Sequence, residues 1–241
     1  DKRDDTNRLS SCVSDSNTGS TTLTATGGAT YTWSPATGLS ATTGASVTAN
    51  PTTTTTYTVS GTDANGCVGT DQVIVTVNPL PIATVNSTSI CSGTSTIIAA
   101  TPSLPGSYYY AWIVPGGVIN PGDTASFSAT IAGTYSVVIT NTVTTCVSAS
   151  ASGIVTLDSN PTLTVNSPTV CQGQPAIMTA TPGAAATYSY AWTVPGAVTN
   201  PGNTATFNTT TPGTYSVIIT NTATGCLSTS ASGTPNFITA P

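Results

Sequence analysis

The sequence "TYSVVITNTVTTC" occupies residues 134–146, and the near copy "TYSVIITNTATGC" occupies residues 214–226. In the first copy Tyr135, Val137 and Ile139 alternate with other side chains, so the three would share one face of a strand. An apolar face with a period of two is typical of a β-strand that lies against a core. The two copies therefore predict a strand that a repeated β-fold uses more than once.

The six cysteines repeat at the same interval as this strand. In each of three cysteine pairs, 55 positions separate the first from the second, and a tryptophan follows the first cysteine by 21 positions. A fixed spacing with a period near 80 residues indicates tandem repeats. We place the repeats at residues 1–79, 80–160 and 161–241, with boundaries at prolines, which do not continue a central strand. The landmarks are Cys12, Trp33 and Cys67, then Cys91, Trp112 and Cys146, then Cys171, Trp192 and Cys226.

Short runs rich in Thr and Val fill each repeat, and β-branched side chains favour the pleated surface of a sheet. Turn signals such as Pro115-Gly116 and Asn120-Pro121-Gly122 separate the runs. No stretch has the apolar stripe of a helix. About seven short strands in each repeat predict an all-β protein, built as three antiparallel β-sandwiches in series.

The charges exclude several classes of function. The chain has 3 Lys and Arg, 8 acidic residues and no His, and every cation lies within the first eight residues. Nucleic acid is excluded as a partner, because phosphate neutralisation requires Lys or Arg, and docking on an anionic membrane fails for the same reason. The sequence contains no run of about 18 consecutive apolar residues, so direct membrane insertion is not predicted.

The side chains present in the sequence also exclude catalysis. All eight acidic residues are Asp, and without His or Glu the general bases reduce to Asp and Tyr. No two Asp residues recur at matching positions of the repeats. We therefore expect a protein that is not an enzyme and that carries no cofactor and no metal.

The cysteine pairs lack the four ligands of a structural zinc site, which leaves one disulfide per repeat or free buried thiols. We predict disulfides. Closing a loop of 55 residues contributes about 4 kcal/mol on the chain-entropy model, and disulfides place the protein outside the reducing cytosol. The predicted pairs are Cys12–Cys67, Cys91–Cys146 and Cys171–Cys226.

An aromatic ladder precedes the tryptophan of repeat two. Tyr108, Tyr110 and Trp112 would share the core face of one strand, although aromatic faces also suit sugar binding. Tyr109 points the opposite way, and repeat three has Ser189 at the corresponding position. Tyr109 is therefore the candidate for an exposed contact residue.

Residues 22–81, with "TYTWSPATGLSATTG" and "TYTVSGTDANGC", closely resemble the PKD-like and Ig-like repeats of large Bacteroidota surface proteins. Residues 85–157 and 165–237, with the skeleton "YAW", "VPG", "NPG", "GTYSV" and "ITNT", resemble a second subtype of these repeats. The resemblance implies an elongated array of Ig-like or PKD-like sandwiches, export by the type IX secretion system, and a place on the cell surface among adhesin and gliding-motility chains.

The sequence departs from true immunoglobulin domains at the second cysteine. Those domains have a Tyr two residues before it, whereas Tyr135 lies 11 residues before Cys146. The second cysteine would then follow the penultimate strand. We expect each disulfide to join the first strand of a repeat to its last strand.

Charged residues make up 5% of the chain, against roughly 25% in a typical globular domain, so glycans or neighbouring subunits would have to cover the surface. Asn86 and Asn208 begin N-glycosylation patterns. Thr124 lies in Asp-Thr-Ala, which resembles an O-glycosylation signal of secreted Bacteroidota proteins. These three residues are the candidate glycosylation sites.

The sequence thus predicts a secreted structural protein, the material of a stalk or filament at the cell surface. Its partners would be other copies of itself or further repeats of the same chain. Repeat one offers no strong first strand, and we therefore expect an open edge that residues 236–241 of another copy could complete by strand donation. The alternative is an adhesin module that binds carbohydrate or other surfaces, with Tyr109 as a contact.

Overall fold

The computed structural model describes residues 19–239, together with the backbone of the strand Arg8–Val13. Within these residues the regular elements are β-strands, with no helix among them. The prediction of an all-β protein is therefore confirmed. No helix of the described part is long and apolar enough to cross a membrane.

Repeat one forms two sheets. The first has the strand order β1-β6-β5-β3 and the second pairs β2 with β4. The bounds are β1 (Arg8–Val13), β2 (Thr21–Thr24), β3 (Thr30–Ser34), β4 (Ser46–Ala49), β5 (Thr55–Thr62) and β6 (Val68–Pro79).

Repeat two has a four-stranded sheet of order β10-β12-β13-β8 and a three-stranded sheet of order β11-β9-β7. This division of seven strands agrees with an immunoglobulin-like sandwich, in which strands C, F and G oppose strands A, B and E. The bounds are β7 (Ala83–Val85), β8 (Thr88–Cys91), β9 (Thr96–Pro102), β10 (Tyr108–Ile113), β11 (Ser126–Ala129), β12 (Gly133–Asn141) and β13 (Ala151–Asp158).

Repeat three follows the same plan, except that its last strand is split in two. Pro235 stands where repeat two has Val155, and a proline interrupts a ladder because it has no N–H to donate. The bounds are β14 (Leu163–Val165), β15 (Thr169–Cys171), β16 (Ala176–Pro182), β17 (Tyr188–Thr193), β18 (Thr206–Thr209), β19 (Tyr215–Asn221), β20 (Ala231–Gly233) and β21 (Asn236–Ile238).

Each repeat has its own core around one tryptophan and one tyrosine. In repeat two Trp112 packs edge-on against Phe127, with ring centroids 5.0 Å apart, and Tyr135, Val137 and Ile139 are buried as the alternation predicts. The corresponding core residues of the other repeats are Trp33 and Tyr57, and Trp192 and Tyr215.

The buried tyrosines of repeats two and three also fix a corner of their sandwiches. The hydroxyl of Tyr135 donates to the carbonyl of Ile131 at 2.7 Å, and that of Tyr215 donates to the carbonyl of Thr211 at 2.9 Å. A tyrosine near the start of strand F that bonds back to the backbone just upstream is the tyrosine corner of immunoglobulin-like folds.

The structure removes the basis for strand donation. Strand β1 pairs in parallel with β6 and so occupies the edge that repeat one was expected to leave open. Strand β21 pairs in parallel with β15 of its own repeat, so residues 236–238 already belong to a sheet. Residues 240 and 241 of the expected donor segment lie outside the described residues.

Candidate interdomain linkage site

A disulfide joins Cys91 of repeat two to Cys226 of repeat three, across 135 positions of the chain. Cys91 is the last residue of β8, and Cys226 lies in the turn after β19. The Cα atoms are 5.4 Å apart, which is in the usual range for a disulfide. The bond therefore connects two sandwiches, where the sequence analysis predicted one bond within each.

Strand direction explains why the two cysteines of one repeat cannot meet. Cys91 ends β8, which runs parallel to β13 and has its last residue in register with Asp158. Cys146 precedes β13 and therefore lies at its opposite end. The eight residues of β13 rise about 25 Å, whereas disulfide Cα atoms lie within about 7 Å.

The predicted intra-repeat pairings are consequently wrong. Cys91 is bonded to Cys226 instead of Cys146, and Cys67 and Cys171 carry free, exposed thiols. Cys146 is itself in a disulfide. The side chain of Cys12 lies outside the described residues.

The second cysteine of every repeat lies in the same turn, which we call the cysteine turn (residues 62–68, 141–147 and 221–227). The backbone amides of Asp63, Asn141 and Asn221 each donate to the carbonyl of the cysteine, at 2.9 Å. The residue before the cysteine has a positive φ each time, namely Gly66, Thr145 and Gly225. The turns of repeats two and three therefore match, whereas the turn of repeat one, from Asp63 to Cys67, is one residue shorter but also closes on the cysteine carbonyl.

The first cysteines of repeats two and three also have the same local structure. The carbonyl of Cys91 accepts from the amide of Thr94, and that of Cys171 accepts from the amide of Gln174, both at 3.0 Å. Each closes a parallel ladder with the last strand of its repeat. We call this end of a sandwich the distal end and the end with the cysteine turn the proximal end.

At the junction of repeats two and three the distal end of one sandwich meets the proximal end of the next. Sγ of Cys226 lies 3.9 Å from the carbonyl oxygen of Asp158, and Nδ2 of Asn160 donates to the carbonyl of Ser92 at 3.3 Å. Cys226 is 0% exposed. The linker and both ends of the disulfide thus form one packed unit.

A groove of about 550 Å³ opens beside the free thiol of Cys67 on repeat one. Its lining includes Tyr31, Asp63, Val68 and Gln72. Oδ1 of Asp63 accepts from the amide of Cys67 at 2.9 Å, which holds the turn in place. The proximal end of repeat one therefore combines an exposed cysteine with a concave surface.

Tyr109 is exposed, as the alternation along β10 predicts. Its side chain is 50% exposed. On the outer face of the same sheet Ile113, four residues further along β10, is 69% exposed, and Ile154 on β13 is 51% exposed. Repeat three has Ser189, Thr193 and Thr234 at the three corresponding positions. The apolar outer face is thus a feature that repeat two does not share with repeat three.

The candidate Thr124 has structural partners. Its hydroxyl donates to the carbonyl of Ser126 at 2.9 Å, and its own carbonyl accepts from Nε1 of Trp112 at 2.8 Å. Oδ1 of Asp123 accepts from the amide of Tyr110 at 2.8 Å. These contacts hold the loop against the core, and glycosylation of Thr124 stays a prediction.

The two asparagine candidates differ in their surroundings. Asn86 donates from Nδ2 to the carbonyl of Ile97 at 2.8 Å and accepts at Oδ1 from the amide of Ala99 at 2.7 Å. Asn208 is exposed on β18. Asn86 is exposed as well, but its Nδ2, the atom that would carry a glycan, is engaged with the backbone. Both glycosylations stay predictions.

Burial raises the pKa of the Tyr135 phenol above its usual value. Burial also raises the pKa of Tyr57, against a smaller lowering by a hydrogen bond with Thr55. Burial raises the pKa of the Tyr110 phenol as well, and the charges of Tyr108 and Asp123 raise it further. The protonated phenol is the form that these sandwiches accommodate.

No protein-family model matches the chain, and no curated protein matches it. Among solved structures, a three-domain immunoglobulin fragment of titin is 13% identical with a TM-score of 0.45, covering 96% of this chain and 95% of that chain. The first eight immunoglobulin domains of Down Syndrome Cell Adhesion Molecule are 12% identical with a TM-score of 0.41, covering 95% of this chain and 35% of that chain.

Proposed function

We propose that the chain is structural material of an extracellular surface, the substance of a stalk or filament. The observation that carries this proposal is the disulfide from Cys91 to Cys226, which fixes one sandwich to the next. A freely jointed string of sandwiches requires no such bond. A protein that transmits tension or spans a distance gains from it, because the joint can neither rotate far nor extend.

The disulfides also support the extracellular location, since such bonds persist outside the reducing cytosol. The composition fits the same role: charged residues are few, and Thr-rich strands make up the surface. We further propose, from the resemblance of residues 22–81 to their repeats, that the chain is one of the secreted surface proteins of Bacteroidota exported by the type IX system.

Imaging of the native material tests the structural role. Antibody against the chain, seen by immunogold electron microscopy of intact cells, should decorate stalks or fibres outside the cell envelope. Permeabilised cells serve as the control for antibody access. Label confined to the cell interior, or label that washes off as a soluble protein, would refute the proposal.

A second candidate function is that of an adhesin module. It is favoured by the outer face of repeat two, where Tyr109 is exposed on the same strand as Ile113. Aromatic and aliphatic groups of this kind suit the apolar faces of sugars or another protein surface. This role requires a ligand, whereas the structural role does not.

A matched pair of substitutions tests the adhesin role. Tyr109→Ser gives repeat two the residue of repeat three, and Ser189→Tyr does the reverse. Binding to a glycan array or to a surface should be lost in the first variant and strengthened in the second. Equal binding by both variants and the natural chain would exclude Tyr109 as a contact.

A further inference from the structure

We propose that Cys171 of one copy forms a disulfide with Cys67 of a second copy, so that copies join head to tail into a covalent filament. The proposal rests on the structural function proposed above and names the partner, a second copy of this chain. It starts from the two thiols that are free and exposed among the described cysteines, one on repeat three and one on repeat one.

Cys171 occupies the position of a cysteine that is already bonded across a junction. Both Cys91 and Cys171 end an opening strand, close a parallel ladder and accept one amide three residues further along the chain. Cys91 uses this position to reach the cysteine turn of the following sandwich. Cys171 presents the same distal end with a free, exposed thiol.

Cys67 occupies the complementary position. It lies in the cysteine turn of repeat one, where its carbonyl accepts from the amide of Asp63, four residues earlier. The carbonyl of Cys226 accepts from the amide of Asn221, five residues earlier, in the longer cysteine turn of repeat three. Cys226 and Cys146, which are both in disulfides, are 0% exposed, whereas Cys67 is exposed. The difference is what a missing neighbour would leave, because the preceding sandwich covers this turn at the junction of repeats two and three.

The surfaces beside the two thiols suit a contact between sandwiches. Val68, next to Cys67, is 66% exposed, and Ile238, in register with Cys171, is 48% exposed. The groove beside Cys67 adds a concave surface of about 550 Å³ at this end of repeat one. Apolar burial around the bond would therefore accompany the covalent link.

A disulfide between Cys171 of one copy and Cys67 of the next would let further copies add at both ends of the assembly. Each copy has one thiol at its distal end and one at its proximal end, and the two are different surfaces. Such a head-to-tail contact is heterologous, so it extends into a filament unless the rotation between copies closes a ring. The same bond would recur between copies as between repeats two and three, which makes every junction chemically alike.

Formation of the bond removes two electrons and two protons from the two thiols and needs an oxidant. With oxidised glutathione, the Cys171 thiolate attacks one sulfur, breaks the glutathione disulfide and releases one glutathione. The Cys67 thiolate of the second copy then attacks the Cys171 sulfur and releases the second glutathione. One disulfide is consumed and one is made.

A complementation experiment with the whole chain tests the pairing. Cys67→Ser retains the distal thiol and Cys171→Ser retains the proximal thiol, and both sites are exposed, so both variants should fold. Each is incubated with oxidised glutathione, alone and mixed, and resolved on a non-reducing gel. The natural chain should give a ladder, the mixture one dimer and nothing longer, and each variant alone a monomer.

Two results would overturn the proposal. One is a dimer of either variant alone that matches the dimer of the mixture, because it would show random thiol coupling. The other is a natural chain that stays monomeric under oxidation.

Native material distinguishes a second copy from a further domain of the same polypeptide. Digestion of native fibres should yield a peptide with Cys171 linked to a peptide with Cys67. Linkage of Cys171 to a peptide outside this sequence would overturn the proposal of a second copy. The structural function would survive that result, since immunogold label on extracellular stalks does not depend on how the copies are joined.

Discussion

The Cα atoms of Cys91 and Cys226 lie 5.4 Å apart, and their disulfide connects the distal end of repeat two to the cysteine turn of repeat three. The linker between the two repeats passes beside this bond, since the carbonyl of Asp158 lies 3.9 Å from Sγ of Cys226. Two covalent connections therefore cross one junction. An interdomain hinge, the ordinary expectation for domains in series, is replaced by a fixed joint.

The first prediction concerns the integrity of this joint. After proteolytic cleavage in the linker at residues 158–162, the two fragments should stay together on a non-reducing gel, because the Cys91–Cys226 disulfide bridges the cut. In Cys226→Ser the fragments should separate. Cys171→Ser is the control and should behave as the natural chain, and separation of its fragments would contradict the assignment.

The second prediction concerns the turn that presents Cys146. Thr145 has a φ of 61°, a conformation that costs a residue with a Cβ atom about 1–2 kcal/mol, whereas repeat three has Gly225 at this position. Thr145→Gly should raise the free energy of unfolding of repeat two by about 1 kcal/mol. Gly225→Thr should lower that of repeat three by a similar amount.

Chemical denaturation, with the two repeats followed by hydrogen exchange, measures both changes. The pair is its own control, because the substitutions exchange the same two residues at matching sites. A destabilised Thr145→Gly variant would contradict the turn geometry.

The third prediction concerns the closest backbone approach in repeat three. A Cβ atom added to Gly233 would lie 2.0 Å from the carbonyl oxygen of Asn166, so Gly233→Ala must displace one strand from the other. We expect a loss of several kcal/mol, at the upper end of the usual range for single substitutions. Gly69→Ala, on β6 with open space around it, should change the melting temperature little.

The sequence predicts features that depend on neighbouring residues of one strand, but it does not predict contacts between residues far apart in the chain. The burial of Trp112 and the exposure of Tyr109 follow from alternation along one strand, and the prediction is correct for both. The pairing of Cys91 was predicted wrongly, because a constant spacing between cysteines is compatible with bonds inside a repeat and with bonds to the next. The parallel register of β8 and β13, which a sequence does not display, decides between them.

The break in the last strand of repeat three is a feature that the sequence alone can predict. Pro235 replaces Val155, and a proline breaks a ladder at a known position. The opening strand of repeat one was missed for the opposite reason. Its residues Arg8–Val13 do not alternate between apolar and polar side chains, and it is the pairing with β6 that makes them a strand.

The fourth prediction is a loss of stability at alkaline pH. Burial raises the pKa of Tyr135 in the folded protein, so the folded state holds this proton more tightly than the unfolded state. The stabilisation is complete below the unfolded pKa of about 10 and is lost as the pH rises through the folded pKa.

Tyr135→Phe separates the two contributions of this side chain. It removes the hydrogen bond to Ile131 and should cost about 1 kcal/mol at pH 7, but it should flatten the fall in stability above pH 10. The measurement is urea denaturation at pH 7 and above, with Cys67 and Cys171 alkylated to prevent disulfide exchange. Tyr109→Phe, at an exposed site, is the control, and an equally steep fall in both variants would contradict the assignment.

Peptide mapping of the oxidised chain tests most directly whether a disulfide joins repeat two to repeat three. Cleavage before aspartate separates Cys12 (residues 5–14), Cys67 (63–70), Cys91 (71–122) and Cys146 (123–157) from the last peptide, 158–241. A second digest after aromatic residues separates Cys171 from Cys226 within that peptide. We predict that peptide 71–122 is linked to peptide 158–241 through Cys226. Linkage of 71–122 to 123–157 would contradict it.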